Sequence, residues 1–166
     1  MKTKAIKELD ELKNEVNASF ENYKARQDHL FFSGDFGSYE GAGLVKLFGK
    51  YLEEWREEIL VEEVKEKPLL SRAYATAAAV FSGLEDEEAA RSALKKALRT
   101  HKNPVSYYIA SHVFESLQDY GKALRYARKL KKSLATLEPT VENILQVEVL
   151  KAENDFRIYW LEKVWR

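Results

Sequence analysis

The chain contains no cysteine, one methionine, three prolines and seven glycines in 166 residues. Without cysteine, disulfides and thiolate metal sites are excluded. Four of the glycines (Gly34, Gly37, Gly41 and Gly43) crowd one stretch, so the remainder has few breakers and reads as long helices. Runs of β-branched alternation are missing, and no apolar stretch reaches the length a membrane span needs. The opening Met1-Lys2-Thr3-Lys4 leads into an amphipathic pattern and not an apolar signal segment. A cytoplasmic location is therefore expected.

What is present is a globular composition, 45% hydrophobic and 33% charged, in a length that suits one domain. Lys and Glu are abundant and Gln is rare, a mix that leans toward a heat-adapted source. Ile6, Leu9, Leu12, Val16, Phe20, Tyr23 and Leu30 recur at helical spacings and predict a helix from about Thr3 to Phe32. The stretch from Ser33 to Gly43 reads as a flexible connector that a helix is not expected to cross. Its aromatics Phe31, Phe32, Phe36 and Tyr39 are expected to dock on the body or on a partner. A second helix is predicted from Leu44 to Glu66. Leu47, Phe48, Tyr51, Leu52, Trp55, Ile59, Leu60 and Val64 form its apolar face, opposite a Glu-rich side. Shorter helices follow over 69–83, 85–101, 105–117 and 120–137, with Pro68, Pro104 and Pro139 restarting the chain. One more runs from Thr140 nearly to the end. The whole is expected to be a single all-α domain, with an N-terminal hairpin at 1–67, two hairpins at 69–137 and a capping helix at 139–166.

Those two hairpins repeat with a period of 33 residues. Tyr74 corresponds to Tyr107, Ala77 and Ala78 to Ala110 and Ser111, and Phe81 to Phe114. In the second helices, Ala90 corresponds to Ala123, Leu94 to Ala127 and Ala97 to Leu130. Small residues let two short helices lie close, and the aromatics fill the wedge between hairpins. This pattern resembles the tetratricopeptide repeat family, whose unit is about 34 residues. The stretch from Asp119 to Lys129 looks especially like that family's turn and second helix. The chain departs from the family in carrying Tyr for the usual Trp and Ala or Ser for the usual Gly.

The resemblance implies a short α-solenoid and a concave surface that takes a helix or an extended peptide. It places Arg72, Ala75, Ala79 and Ser82 of the first unit, and Val105, Tyr108, His112 and Glu115 of the second, on that surface. The chain's own terminal helices are an equal claimant to it. The family's carboxylate clamp is not carried over, because apart from Arg72 its residues are absent.

Charge is balanced overall and unevenly spread. Residues 1–90 carry 12 Lys+Arg against 19 Asp+Glu, whereas residues 91–132 carry 11 against 2. The basic residues fall on the second helices: Arg91, Lys95, Lys96 and Arg99, then Lys122, Arg125, Arg128, Lys129, Lys131 and Lys132. Such a stripe suits RNA, DNA or an acidic protein, or else a solvated face. No nucleic-acid motif accompanies it.

No catalytic motif appears. The glycine-rich stretch lacks Gly-Lys-Ser/Thr, its Asp-Phe-Gly lacks the other kinase signatures, and no Glu-x-x-His pair exists for a di-iron site. No catalytic residue, cofactor or metal is expected. Finally, Phe156, Ile158, Tyr159, Trp160, Leu161, Val164 and Trp165 lie on more than one side of the last helix. That end is expected to be buried on two sides, in a homodimer through Phe156, Tyr159, Trp160 and Trp165. The leading expectation is a non-enzymatic adaptor or assembly factor with a protein partner. The alternative is a nucleic-acid-associated subunit.

Overall fold

In a computed structural model, the backbone is described at residues 2–30, 35–138 and 140–165, and side chains are described within those ranges outside 2–3 and 27–40. The described residues form seven α-helices and no strand: α1 (Lys2–Leu30), α2 (Asp35–Val61), α3 (Glu66–Gly83), α4 (Glu87–Thr100), α5 (Pro104–Ser116), α6 (Tyr120–Ala135) and α7 (Ile144–Val164). A single 3-10 turn, Glu63–Lys65, joins α2 to α3. The chain divides into two compact units, Met1–His101 and Lys102–Arg166.

In the first unit, α3 packs against α1, α2 and α4. The apolar seam of α1 is buried at Leu9, Leu12, Val16 and Tyr23, as its periodicity requires. The seam of α2 is narrower than the sequence suggests. Phe48, Leu52, Trp55 and Ile59 are buried at spacings of four, three and four, while Leu47, Tyr51, Leu60 and Val64 face solvent.

The glycine-rich stretch also departs from expectation. Of its residues, 35–43 lie in α2, which therefore starts nine residues before Leu44. Gly41 supplies the physical reason. A Cβ built there would stand 2.8 Å from Tyr23 Cε1 and 3.1 Å from Phe20 Cε1. Gly41 serves close approach of α1 to α2, not a turn. The proposed docking of Phe31, Phe32, Phe36 and Tyr39 lies outside the described residues.

Pro68 sits in the first turn of α3, where its missing N–H leaves no intrahelical bond unmade. The α3–α4 interface is lined with small residues: Ala73, Ala77, Ala78, Ala90, Ala93 and Ala97 are all buried. The Ser71 hydroxyl lies 2.8 Å from both the Ala97 and the His101 carbonyl oxygens at the end of α4.

In the second unit, α6 packs between α5 and α7. Ala110, Ser111, Ala123 and Ala127 are fully buried where α5 meets α6, and Phe114 and Leu130 close the core around them. Most of the positions that repeat at 33 residues are thus core positions in both hairpins.

The turns repeat as well. Glu85 and Gln118 follow α3 and α5 with φ of 60° and 62°. Asp86 N–H donates to the Phe81 carbonyl at 2.9 Å, and Asp119 N–H to that of Phe114 at 2.8 Å. Glu85 N–H donates to Ser82 O, and Gln118 N–H to Glu115 O. Each turn is a Schellman motif with its left-handed residue just past the helix. The aspartate then caps the next helix: Asp86 Oδ1 accepts from Ala89 N–H, and Asp119 Oδ1 from Lys122 N–H. In the first unit α1 braces this corner, with Ser19 donating to Asp86 and Arg26 to the Leu84 carbonyl, both at 2.8 Å.

The C-terminal helix buries one face only, through Val147, Asn154 and Leu161. Among the described residues, the expected burial on a second side is not met. Phe156 is 70% exposed, Tyr159 57%, Trp160 41% and Trp165 55%.

Candidate anion-binding cleft

The site grows from the amphipathic order of α6. Ala123, Leu124, Ala127, Leu130 and Leu134 turn inward at helical spacing. Geometry then forces Lys122, Arg125, Lys129 and Lys132, separated by three, four and three residues, onto the opposite face. Together with Arg128 they line a cleft of about 530 Å³, whose other walls are Asp119, Gly121 and Trp165. Five cations thus share one cavity with a single carboxylate.

Trp165 closes this cleft from the end of α7. Its backbone N–H donates to the Leu161 carbonyl at 2.9 Å, and its indole lies on the first turn of α6 at Gly121. A Cβ at Gly121 would stand 3.0 Å from the indole Cε2, so glycine makes room for the ring. Three of the cations are partly engaged. Arg128 pairs with Glu162 at 3.3 Å, Lys122 with Asp119 at 4.0 Å, and Lys129 lies 5.2 Å over the Tyr126 ring. Arg125 and Lys132 have no counter-ion among the described residues. Like charges three and four residues apart on a helix cost stability, so this face is arranged against the interest of the free chain.

On α5, Tyr108, His112 and Glu115 do come together, and a residue the sequence reading missed joins them. Arg157 of α7 donates to Ser111 Oγ at 2.9 Å and to Glu115 Oε1 at 2.6 Å. The Ser111 hydroxyl in turn donates to the Ala123 carbonyl at 2.8 Å. The serine therefore ties three helices and is not poised as a nucleophile. His112 stands 4.4 Å from the Tyr108 ring, with its Nε2 buried and unpartnered. Burial first, and the Arg157 charge second, push its pKa below the usual 6.5, against the opposite pull of Glu115 and Glu153. A signal for Arg157 existed: it falls in register with Leu150, Asn154 and Leu161 on the inward face of α7, where a charge needs a partner.

The other expected residues are scattered. Arg72 and Ala79 are exposed on α3, but Ala75 has no accessible surface and offers nothing to a partner. Val105 is exposed at the start of α5. Lys95, Lys96 and Arg99 lie on the outer face of α4, with Lys96 5.7 Å over the Tyr74 ring. They belong to the first unit, and the α6 cations to the second.

Among the described residues, no group of three His, Asp or Glu side chains could hold a metal ion, and no helix is long and apolar enough to cross a membrane. No protein-family model, no curated protein and no solved structure matches the chain.

Proposed function

We propose that the protein is a non-enzymatic adaptor or assembly factor, built on two tetratricopeptide-like hairpins, that holds an acidic segment of a protein partner in the cleft on α6. A cytoplasmic setting is part of the same proposal. The observation that carries the reading is the cleft itself, with five cations, two of them lacking a counter-ion among the described residues. The 33-residue correspondence of the turns supports the tetratricopeptide-like part. The reading shifts the working surface from the α5 face, where Arg157 of the chain's own last helix already occupies Ser111 and Glu115, to the α6 face.

Charge complementarity of this kind gives an on-rate and a salt dependence before it gives affinity. A synthetic Glu-rich helical peptide is a suitable probe, with Trp165 as the nearby fluorophore. Binding is expected at low salt, and it weakens as salt rises. Arg125→Glu with Lys132→Glu abolishes it. Failure to bind at low salt, or binding that survives the double reversal, overturns the proposal.

One observation favours a second reading. An exposed indole beside a row of cations is the arrangement that tracks a phosphate backbone and stacks a base. Under that reading a single-stranded oligonucleotide binds more tightly than the Glu-rich peptide. Its affinity then falls linearly against the logarithm of salt concentration.

A further inference from the structure

The last helix is apolar on two opposite faces. Its inward face carries Val147, Leu150, Asn154, Arg157 and Leu161. On the far side, Leu145, Val149, Ala152, Phe156 and Tyr159 follow one another at intervals of four, three, four and three residues. Leu145 is 75% exposed, Val149 58% and Phe156 70%, and Val141 and Trp160 extend the strip at its two ends. The 4-3-4-3 order is the seam of a coiled coil, and here the seam has no partner among the described residues.

From these observations we infer that the outer face of α7 is a twofold dimer interface, covered by α7 of a second copy running antiparallel. The occupant follows from the order of residues. A twofold axis passing between Leu150 and Lys151 sets Leu145 against Phe156 of the second copy and Val149 against Ala152. At the ends, Val141 meets Trp160 of the second copy. These three layers are then apolar against apolar, Tyr159 falls level with Glu142 of the second copy, and the small Ala152 lets the axes approach. A self-complementary strip of this kind suits an isologous contact.

Area points the same way. The exposed parts of Leu145, Val149, Phe156, Tyr159 and Trp160 leave roughly 500 Å² of apolar surface per copy. Two copies would bury roughly 1,000 Å², about the minimum area that an interface between copies should clear. The edge of the seam is also prepared. Asp155 and Glu162 are already paired with Lys131 and Arg128 of α6, at 3.2 and 3.3 Å, so the rows do not repel one another on approach.

The absence of cysteine makes the test direct. In the antiparallel pair, residue 145 lies about 16 Å along the axis from residue 145 of the second copy and level with its residue 156. Leu145→Cys and Phe156→Cys are substitutions at exposed sites and leave the chain's own core intact. Each alone is expected to stay uncross-linked under mild oxidation, and an equal mixture is expected to give a disulfide dimer. Sedimentation of the unmodified chain gives twice the single-chain mass, and Phe156→Glu returns it to the single-chain mass with unchanged helicity. Cross-linking of either variant alone, no cross-link in the mixture, or a single-chain mass at about 100 μM overturns the inference.

Discussion

Glu85 and Gln118 stand 33 residues apart and hold the same left-handed backbone conformation, with φ of 60° and 62°. Neither is glycine. A Cβ in this region costs roughly 1 kcal/mol, and glycine at the residue after a helix removes that cost. Glu85→Gly and Gln118→Gly are each expected to stabilise the chain by about 0.5–1 kcal/mol. Chemical denaturation of the two variants checks this. Equal gains would show that the two turns are energetically as well as geometrically equivalent. Glu85→Val is expected to lose at least as much as the glycine gains, because a β-branched side chain fits this region worst.

Two glycines of α2 should respond in opposite directions. At Gly41 an added methyl meets the rings of Tyr23 and Phe20, which cannot swing away as a flexible chain end would. The overpacking cost of about 1–3 kcal/mol exceeds the roughly 1 kcal/mol that alanine gains in a helix. Gly41→Ala should therefore destabilise. At Gly43 nothing lies within 4 Å of the added methyl. Gly43→Ala should stabilise by up to about 1 kcal/mol. Thermal denaturation of the pair decides, and two shifts of the same sign would contradict the α1–α2 packing.

These glycines also mark where the sequence misleads. Clustered glycine is as good a signal for a loop as for a close helix crossing, and only the facing rings of Tyr23 and Phe20 tell them apart. The seam of α1 and the small-residue positions of the two hairpins were legible, because periodicity and residue size act locally. The exposure of Leu47, Tyr51, Leu60 and Val64 was not, since an apolar residue at helical spacing does not say how wide its neighbour is. In the cleft, the row of cations on α6 could be read directly from spacing. Its aromatic wall could not. Trp165 reaches Gly121 across 44 residues, and no local pattern encodes that contact.

Arg157 and His112 give the chain a pH dependence. The folded pKa of His112 lies below its ordinary 6.5, through burial first and the Arg157 charge second. Between the folded pKa and 6.5 the unfolded chain binds more protons than the folded one, so stability rises with pH across that window. The contribution is complete above about pH 6.5 and is lost as pH falls toward the folded pKa. Arg157→Met removes one of the causes, so His112 should titrate at higher pH, as followed by NMR of its ring protons. The same substitution strips a half-buried carboxylate and a buried hydroxyl of their donor and should destabilise by about 2 kcal/mol. An unchanged His112 titration would show that Arg157 does not face it in solution.

The sharpest test of the α6 cleft is that binding and stability should move apart. Arg125 has Lys122 three residues before it, Arg128 three residues after it and Lys129 four residues after it, all of like charge. Each such pair costs a helix a few tenths of a kcal/mol at low salt. Arg125→Gln should therefore raise the stability of the free chain by about 0.5 kcal/mol and weaken the Glu-rich peptide severalfold. Raising the salt concentration should shrink both effects together, because screening relieves the same repulsion that the peptide would neutralise. A face that is merely solvated behaves differently: its neutral variant gains the stability and loses no binding. Gly121→Ala separates the aromatic wall from the charge. The added methyl, 3.0 Å from the indole, displaces Trp165 while leaving every cation in place. If the peptide binds through charge alone, its affinity should hold within about twofold, whereas an oligonucleotide that stacks on the indole should lose about tenfold, the equivalent of about 1.4 kcal/mol of base stacking.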